Sequence, residues 1–118
     1  MKVQIWGCRG SIPRPNPEMA RYGGNTPCIE IVASGDVSGN IDGHRIILDL
    51  GSGAVDLGQK ILGEMFQQKK KLADVVEGEG DAPTNPQPKF GGSILITHTH
   101  WDHIQGSCFL APKPAPLN

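Results

Sequence analysis

Aromatic side chains are scarce in this chain, at 5% of its 118 residues, and its formal net charge of −1 is close to neutral. The sequence therefore lacks the interleaved basic and aromatic side chains that are typical of RNA-binding arms. It has no strong overall field that would attract nucleic acid or an anionic membrane surface. Its apolar runs are all shorter than the roughly 18 residues of a transmembrane helix. We expect neither a membrane span nor a clear nucleic-acid surface.

Cysteine is also sparse, since Cys8, Cys28 and Cys108 lie far apart and form no CxxC pair. An odd number of scattered cysteines argues against a disulfide framework and against a cysteine-based zinc finger. Reduced thiols suit the cytoplasm. The N-terminus begins with a strand-like segment rather than with the basic and apolar regions of a secretory signal. These features predict a cytoplasmic protein.

Glycine and proline, by contrast, are abundant, with 16 and 10 residues, so much of the chain must form loops around one modest core. Alternating or continuous apolar segments predict four short strands. The last two are nearly all apolar, which indicates burial, and the third is expected at the centre of a sheet. The predicted strands are Lys2–Trp6, Cys28–Ser34, His44–Leu50 and Ser93–Thr97.

The segments between these strands differ in character. A polar, glycine-rich stretch at 35–43 predicts a hairpin turn, and apolar residues at helical spacing predict an amphipathic helix over about 53–68. The irregular segment 7–27 is longer than most loops, and loops of this length usually serve a function. We interpret it as the wall of an active site. The acidic stretch 74–88 is interpreted as a flexible linker within a single domain that spans 1–118.

Three of the four histidines fall within six positions, together with an aspartate, directly after the fourth strand. In an extended segment, side chains two positions apart point to the same side, so His98 and His100 can converge on one metal ion. Asp102 and His103 follow as the chain turns and could reach a second ion close by. Imidazole and carboxylate ligands suit zinc, manganese or iron better than calcium.

A pair of metal ions at this position would polarise a phosphoryl or carbonyl oxygen, hold a bridging hydroxide and stabilise the leaving oxygen. Asp102 is then the candidate catalytic residue, since it could orient the attacking water or accept its proton. Two alternatives stay open at this point. One is a histidine-rich surface loop without metal. The other is a single structural zinc, although structural zinc usually has cysteine ligands.

Three segments carry a resemblance to a known superfamily. THTHWDHIQG at 97–106 resembles the HxHxDH signature of the metallo-β-lactamase fold superfamily, and IILDLGSG at 46–53 resembles its earlier aspartate motif. KVQIWGCRGSIPRPNPEMARYGGNTPCIEI resembles the opening of a bacterial subgroup of metal-dependent hydrolases related to cyclic-nucleotide phosphodiesterases and tRNA 3′-processing ribonucleases. The resemblance implies an α+β fold, namely the N-terminal half of the αββα metallo-β-lactamase sandwich, with a mixed β-sheet and a covering helix.

The resemblance also implies roles for individual residues. His98 and His100 look like ligands of the first metal ion, and Asp102 and His103 look like ligands of the second. The expected cofactor is Zn²⁺, as two ions in a complete site, with Mn²⁺ or iron as alternatives. Asp49 looks like a buried carboxylate that orients the histidine segment rather than a ligand, although it could instead cap the following helix.

Candidate substrate contacts lie in the N-terminal loop. The related subgroup places Gly23-Gly24-Asn25-Thr26 beside the pocket, and a glycine pair lets the backbone approach a ligand closely. Asn25 and Thr26 could therefore donate hydrogen bonds to a phosphate. Arg9 or Arg21 could do the same, or either could be an ordinary surface charge.

The resemblance breaks down after His103. The superfamily's domain is longer, with two similar halves that face each other, and its later ligands are a histidine, a bridging aspartate and a final histidine. No histidine or aspartate follows His103 here. We therefore expect a truncated domain that is a fragment of a longer protein, although a partly ordered chain, or a half-domain paired with another chain, would also account for the missing ligands. A half-sheet would expose a large apolar face and favour association, for example as a homodimer.

These observations predict a metal-dependent hydrolase, most specifically a phosphodiesterase that acts on a small or cyclic nucleotide through a metal-bound hydroxide. A small anionic phosphodiester is the expected substrate, because the positive charge of the ions favours an anion. One alternative is another hydrolase of the same fold, acting on RNA or on a thioester. The other is a non-catalytic metal-binding fragment, which the missing later ligands favour.

Overall fold

The structure, a computed structural model, describes residues 1–33, 44–76 and 91–110. Two single-turn 3₁₀ helices, Pro17–Met19 and Ser107–Phe109, interrupt its loops. The other elements follow in the order β1 (Lys2–Gly7), β2 (Cys28–Val32), β3 (Arg45–Leu48), α1 (Ala54–Val76), β4 (Gly92–Leu95) and α2 (Trp101–Ile104). The prediction of an α+β fold is confirmed.

The four strands form one mixed sheet in the order β1-β2-β3-β4. β1 pairs with β2, and β2 with β3, in antiparallel fashion, whereas β3 and β4 are parallel. A parallel pair needs a long crossover connection, and α1 lies within that connection. In this order β3 lies between β2 and β4, in the interior of the sheet, as its apolar sequence predicted. The predicted turn at 35–43 lies outside the described residues, apart from the β2–β3 pairing that flanks it.

The helix α1 covers one face of the sheet. Apolar residues three, four and seven positions apart form one face of a helix, and Ala54, Leu57 and Ile61 supply that face here. All three are buried against the inward side of β2 and β3. Burial, the largest cause, raises the pKa of the Cys28 thiol to about 12, so this cysteine stays protonated. The core consists of Cys28, Ile47, Leu50, Ala54, Leu57 and Ile61.

A buried charge network joins the sheet to α1. Glu30 is only 1% exposed, and its Oε2 accepts hydrogen bonds from Trp6 Nε1 at 3.1 Å and from Lys60 Nζ at 2.8 Å. Arg45 Nε lies 2.7 Å from Glu30 Oε1, and Arg45 Nη2 donates to Glu64 Oε2 at 2.7 Å. Burial alone would raise the pKa of Glu30, but the Lys60 hydrogen bond and the Arg45 charge lower it overall. Glu30 is therefore ionised in the folded protein.

The opposite face of the sheet is apolar and open to solvent in the described part of the chain. The strand registers align its side chains in rows across all four strands. Val3 is 54% exposed, Ile5 63% and Leu95 53%. The expectation of an exposed apolar sheet face is met. The face consists of Val3, Ile5, Ile29, Ile31, Ile46, Leu48 and Leu95.

The prediction that the fourth strand is buried is wrong. β4 forms one edge of the described sheet, and Ile94 is 46% exposed. A strand buried on both faces and a strand with exposed apolar side chains can have the same continuous apolar sequence. The run therefore does not show which of the two β4 is. The run therefore indicates the strand correctly but not its surroundings.

The helix α1 is longer than the sequence predicted, because it continues to Val76. Lysine, leucine and alanine after residue 68 are good helix formers, and neither glycine nor proline intervenes before Gly78. The first residues of the predicted linker, 74–76, are therefore helical, while 77–88 lie outside the described residues. No helix in the described ranges is long and apolar enough to cross a membrane.

Candidate metal centre

The histidine segment after β4 brings its imidazole rings together. The ring centroids of His98 and His100 lie 4.6 Å apart, and those of His98 and His103 lie 4.0 Å apart. His100 has an extended backbone with φ −60° and ψ 145°, and it precedes the single turn α2, which carries Asp102 and His103. The extended part places His98 beside His100, and the helical turn then returns His103 toward them.

Asp49 lies next to this cluster and forms hydrogen bonds with Thr97 and His103 of the histidine segment. Asp49 is buried, with only 5% of the residue exposed. It accepts hydrogen bonds from the Thr97 amide at 2.8 Å, from the Thr97 hydroxyl at 2.9 Å and from His103 Nδ1 at 2.9 Å. Burial alone would raise the pKa of Asp49, but the bonds from Thr97 and His103 lower it overall. An ionised Asp49 therefore fixes the orientation of the histidine segment from below.

These contacts decide which imidazole nitrogens face the cluster. His103 uses Nδ1 for Asp49, which leaves Nε2, and Nε2 lies 3.5 Å from Asp102 Oδ2. His98 Nδ1 lies 3.0 Å from the Thr97 hydroxyl. Holding one ring nitrogen by a carboxylate or hydroxyl is the usual way in which proteins orient a ligating histidine.

Asp102 is held from the N-terminal loop. The Ser11 amide donates a hydrogen bond of 2.9 Å to Asp102 Oδ2 across 91 positions of sequence. This bond is the largest reason why the pKa of Asp102 lies below its usual value, and it outweighs the opposing effect of burial. The loop at 7–27 therefore contacts the cluster directly, as expected for the wall of a site.

The cluster docks onto the turn after β3 by close backbone contact. The Leu50 amide donates to the His103 carbonyl, and the Gly106 amide donates to the Leu50 carbonyl, both at 2.7 Å. A Cβ atom at Gly106 would lie 2.1 Å from the Gly51 carbonyl oxygen, and one at Gly51 would lie 2.4 Å from the Asp102 carbonyl oxygen. Glycine is required at both positions because the two backbones touch.

Two predicted substrate contacts have internal partners instead. Thr26 is completely buried, and its hydroxyl accepts hydrogen bonds from the Ser52 amide and from Gln105 Nε2, both at 2.7 Å. Asn25 accepts from the Ser52 hydroxyl at 3.1 Å and donates to Asp56 at 3.3 Å. Thr26 therefore joins the loop to the start of α1 and faces no substrate, and Asn25 supports the same junction.

Arg9 lies beside a surface cleft formed by the N-terminal loop. The cleft has a volume of about 490 Å³ and is lined by Arg9, Glu18 and Tyr22, among others. Arg9 Nε donates to the Ile12 carbonyl at 2.9 Å, and its Nη1 donates to Met19 Sδ at 3.2 Å. Gly10 also lines the cleft. The next residue, Ser11, contacts Asp102 through its amide, so the cleft wall and this contact are adjacent in the sequence. Arg21, the other arginine considered, stacks over the Tyr22 ring at 5.2 Å.

No protein family, curated protein or solved structure matches this chain. The side chains of the cluster themselves indicate the chemistry that it can perform. Three imidazoles and one carboxylate are suitable donors for zinc, and Thr97 and Asp49 already orient two of the rings. Among the described residues, however, no three His, Cys, Asp or Glu side chains stand where they could hold a metal ion together. The donor chemistry fits zinc, while the final ligand geometry would need a rearrangement of these side chains.

The sequence did not indicate Thr97, Ser11 or Gln105. Thr97 could have been found, since a hydroxyl at the end of β4 lies next to the first histidine. Ser11 contributes only its backbone amide, which no residue-type pattern reports. His44, the remaining histidine, lies apart from the cluster, with its Nε2 at 3.0 Å from the Ser93 hydroxyl.

Proposed function

We propose that this protein is a metal-dependent hydrolase of the metallo-β-lactamase type that cleaves a phosphodiester bond in a small or cyclic nucleotide. The observation that carries the proposal is the convergence of His98, His100, Asp102 and His103 after β4, above the buried Asp49. Under this proposal the mixed sheet with its covering helix is the N-terminal half of the αββα sandwich.

Zinc is the proposed ion, with manganese or iron as alternatives, and His98, His100, Asp102 and His103 would hold it. When bound, it would supply Lewis-acid charge and lower the pKa of a water molecule. The protein's own residues would orient the ligands and transfer the proton. Asp49 orients His103, and the Ser11 amide holds Oδ2 of Asp102, so Oδ1 is the atom proposed to exchange a proton with water or the leaving oxygen.

The cleft of the N-terminal loop, which adjoins the Ser11 contact with Asp102, is of a size that supports a small substrate. Small-molecule sites commonly measure about 300–1,000 Å³, and the cleft of about 490 Å³ falls in this range. Arg9 contributes a positive charge to its wall, which favours a phosphate group, although Glu18 contributes a negative charge to the same wall. The scarcity of aromatic side chains makes the chain less suited to single-stranded RNA, where base stacking contributes much of the affinity.

The second candidate is a metal-binding fragment without catalysis. The observation that favours it over the hydrolase is that, among the described residues, no three ligands are arranged for one ion, because incomplete coordination would leave a metal weakly bound and without turnover. Metal content separates the two candidates. Two tightly held ions per chain support the hydrolase, whereas weak binding without turnover supports the fragment.

The test is hydrolysis of bis(p-nitrophenyl) phosphate by the zinc-supplemented protein. We expect His98→Ala to abolish turnover, because it removes a proposed ligand. His44→Ala is the matched control and should leave turnover unchanged, because His44 contacts Ser93 instead of the cluster. Hydrolysis that persists in His98→Ala would contradict the proposal.

A further inference from the structure

Two residues of the described chain, other than glycine, have a positive φ: Ser11 at 73° and Asp49 at 60°. Such conformations are strained for residues with a Cβ atom, and they persist where the surrounding structure imposes them, often at functional sites. Both residues contact the histidine segment. Asp49 does so through its carboxylate, whereas Ser11 does so through its backbone amide.

Ser11 lies at the centre of a three-residue turn. The Ile12 amide donates to the Gly10 carbonyl at 3.1 Å, which is the hydrogen bond of a γ-turn. A γ-turn with positive φ at its centre is the rarer and more strained form. The Ser11 amide is directed at Asp102 Oδ2, 2.9 Å away. The conformation of this turn, rather than the serine side chain, therefore makes the contact.

The turn is braced on both sides by the rest of the loop. Arg9 Nε donates to the Ile12 carbonyl at 2.9 Å and so spans the turn. The Cys8 and Arg9 amides both donate to the Asn25 carbonyl, at 3.0 and 2.9 Å. On the far side, the Arg14 amide donates to the Gly24 carbonyl at 2.9 Å. These bonds hold a conformation that the sequence alone does not favour.

We propose that this braced turn is a positioning device for Asp102. The Ser11 amide fixes one carboxylate oxygen of Asp102, and Arg9 acts by bracing the turn that presents this amide. Ser11 is thus a positioning residue, and its role is carried by the main chain. The inference rests on the proposed function, in which Asp102 is a metal ligand and a proton carrier.

The first experiment measures hydrogen exchange of single amides in the metal-free 118-residue chain, resolved by fragmentation mass spectrometry. We expect slow exchange at Ser11 and at least about 10-fold faster exchange in Asp102→Ala, because a hydrogen bond to a charged acceptor is lost. The Arg14 amide of the same loop is the internal reference and should stay slow. His44→Ala should change neither amide. Unaltered exchange at Ser11 in Asp102→Ala would overturn the proposal.

The second experiment removes the amide itself, by replacing Ser11 with the corresponding α-hydroxy acid so that the Gly10–Ser11 bond becomes an ester. We expect zinc to bind about 10- to 100-fold more weakly, the usual effect of losing a group that orients a ligand. The same ester at Ala20 is the matched control, since it removes a backbone bond of the same loop, from the Ala20 amide to the Pro17 carbonyl at 3.0 Å, that does not brace the turn and should leave zinc affinity unchanged. Arg9→Met should also weaken zinc binding, as the Ser11 ester does, because it removes the hydrogen bond from Arg9 Nε to the Ile12 carbonyl that braces the turn.

The outcomes separate this inference from the proposed function. If the unsubstituted chain binds zinc and the Ser11 ester binds it equally well, the positioning role is overturned and the metal centre stands. If the unsubstituted chain binds no zinc, the metal centre fails, and hydrogen exchange still decides whether Ser11 holds Asp102.

Discussion

Asp49 is the residue on which the order of the histidine segment depends. Its carboxylate accepts hydrogen bonds from the amide and the hydroxyl of Thr97 and from His103, although its own backbone is strained at φ 60°. A buried carboxylate with this many donors is stabilised in its charged form. The charge of Asp49 therefore organises side chains that are distant from it in sequence.

Replacing Asp49 with asparagine tests this role with little change in shape. Asparagine tolerates positive φ, so the backbone should persist, but the neutral amide offers one acceptor oxygen instead of two. We expect zinc to bind about 10- to 100-fold more weakly, and the free energy of unfolding to fall by about 1–3 kcal/mol because a buried donor loses its acceptor. A chelator competition assay and urea unfolding measure the two effects. Asp56→Asn, on the exposed start of α1, should leave zinc affinity unchanged; equal affinities in both variants would contradict the assignment.

Two elements are held in place by glycine contacts between backbones. Gly106, after α2, lies against Gly51, after β3, with no room for a methyl group. Gly63, within α1, has nothing within 4 Å of its absent Cβ atom. The same chemical change should therefore have opposite effects at the two positions.

We expect Gly106→Ala to lower the free energy of unfolding by about 1–3 kcal/mol or more, because the backbones must separate. Gly63→Ala should raise it by about 0.5–1 kcal/mol, because alanine favours helix. Urea unfolding of the two variants measures this directly. A Gly106→Ala variant as stable as the unsubstituted chain would show that the two turns are not in close contact.

The network around Glu30 connects the sheet to α1 and makes stability depend on pH. The folded-state pKa of Glu30 lies below its usual value of 4.5. A lowered pKa contributes stability that is complete above the unfolded-state value and is lost as the pH falls through the folded-state value. We expect the urea midpoint to decline below about pH 4.5, and Glu30→Gln to flatten this decline. Glu30→Gln should also destabilise the protein at pH 7 by about 3–5 kcal/mol, since Arg45 and Lys60 lose their buried counter-charge.

At the scale of the whole molecule, the described residues give the sheet one covered face and one open face. The open face carries seven aliphatic side chains in two aligned rows, one of which ends at Ser93 on β4. Contiguous apolar surface of this kind favours association. We expect the isolated chain, of 12.6 kDa, to form larger species in solution.

Light scattering after gel filtration measures this association. Ile5→Lys places a charge on the open face and should increase the monomer fraction. Leu62→Lys is the matched control on α1, where the leucine is 47% exposed and Ile5 is 63% exposed on the sheet. It should leave the association unchanged. A cooperatively folding monomer of the unsubstituted chain would contradict the prediction.

Local spacing in the sequence was enough to predict the strands β1 to β3, the central place of β3 and the grouping of the candidate ligands. Those features depend on side-chain alternation and on residues two to five positions apart, which the sequence displays directly. The length of α1 was underestimated because the apolar spacing that predicts it ends near residue 68, whereas the helix continues through good helix formers to Val76.

Packing over long distances in the chain settled the remaining features. The open surroundings of β4, the complete burial of Thr26 and the contact of Ser11 with Asp102 all depend on residues far away in sequence. A backbone amide is the same at every residue except proline, so no sequence pattern could mark the one at Ser11. The contact of the Ser11 amide with Asp102 depends on the strained turn and on the loop that holds this turn, and both exist only in the folded chain.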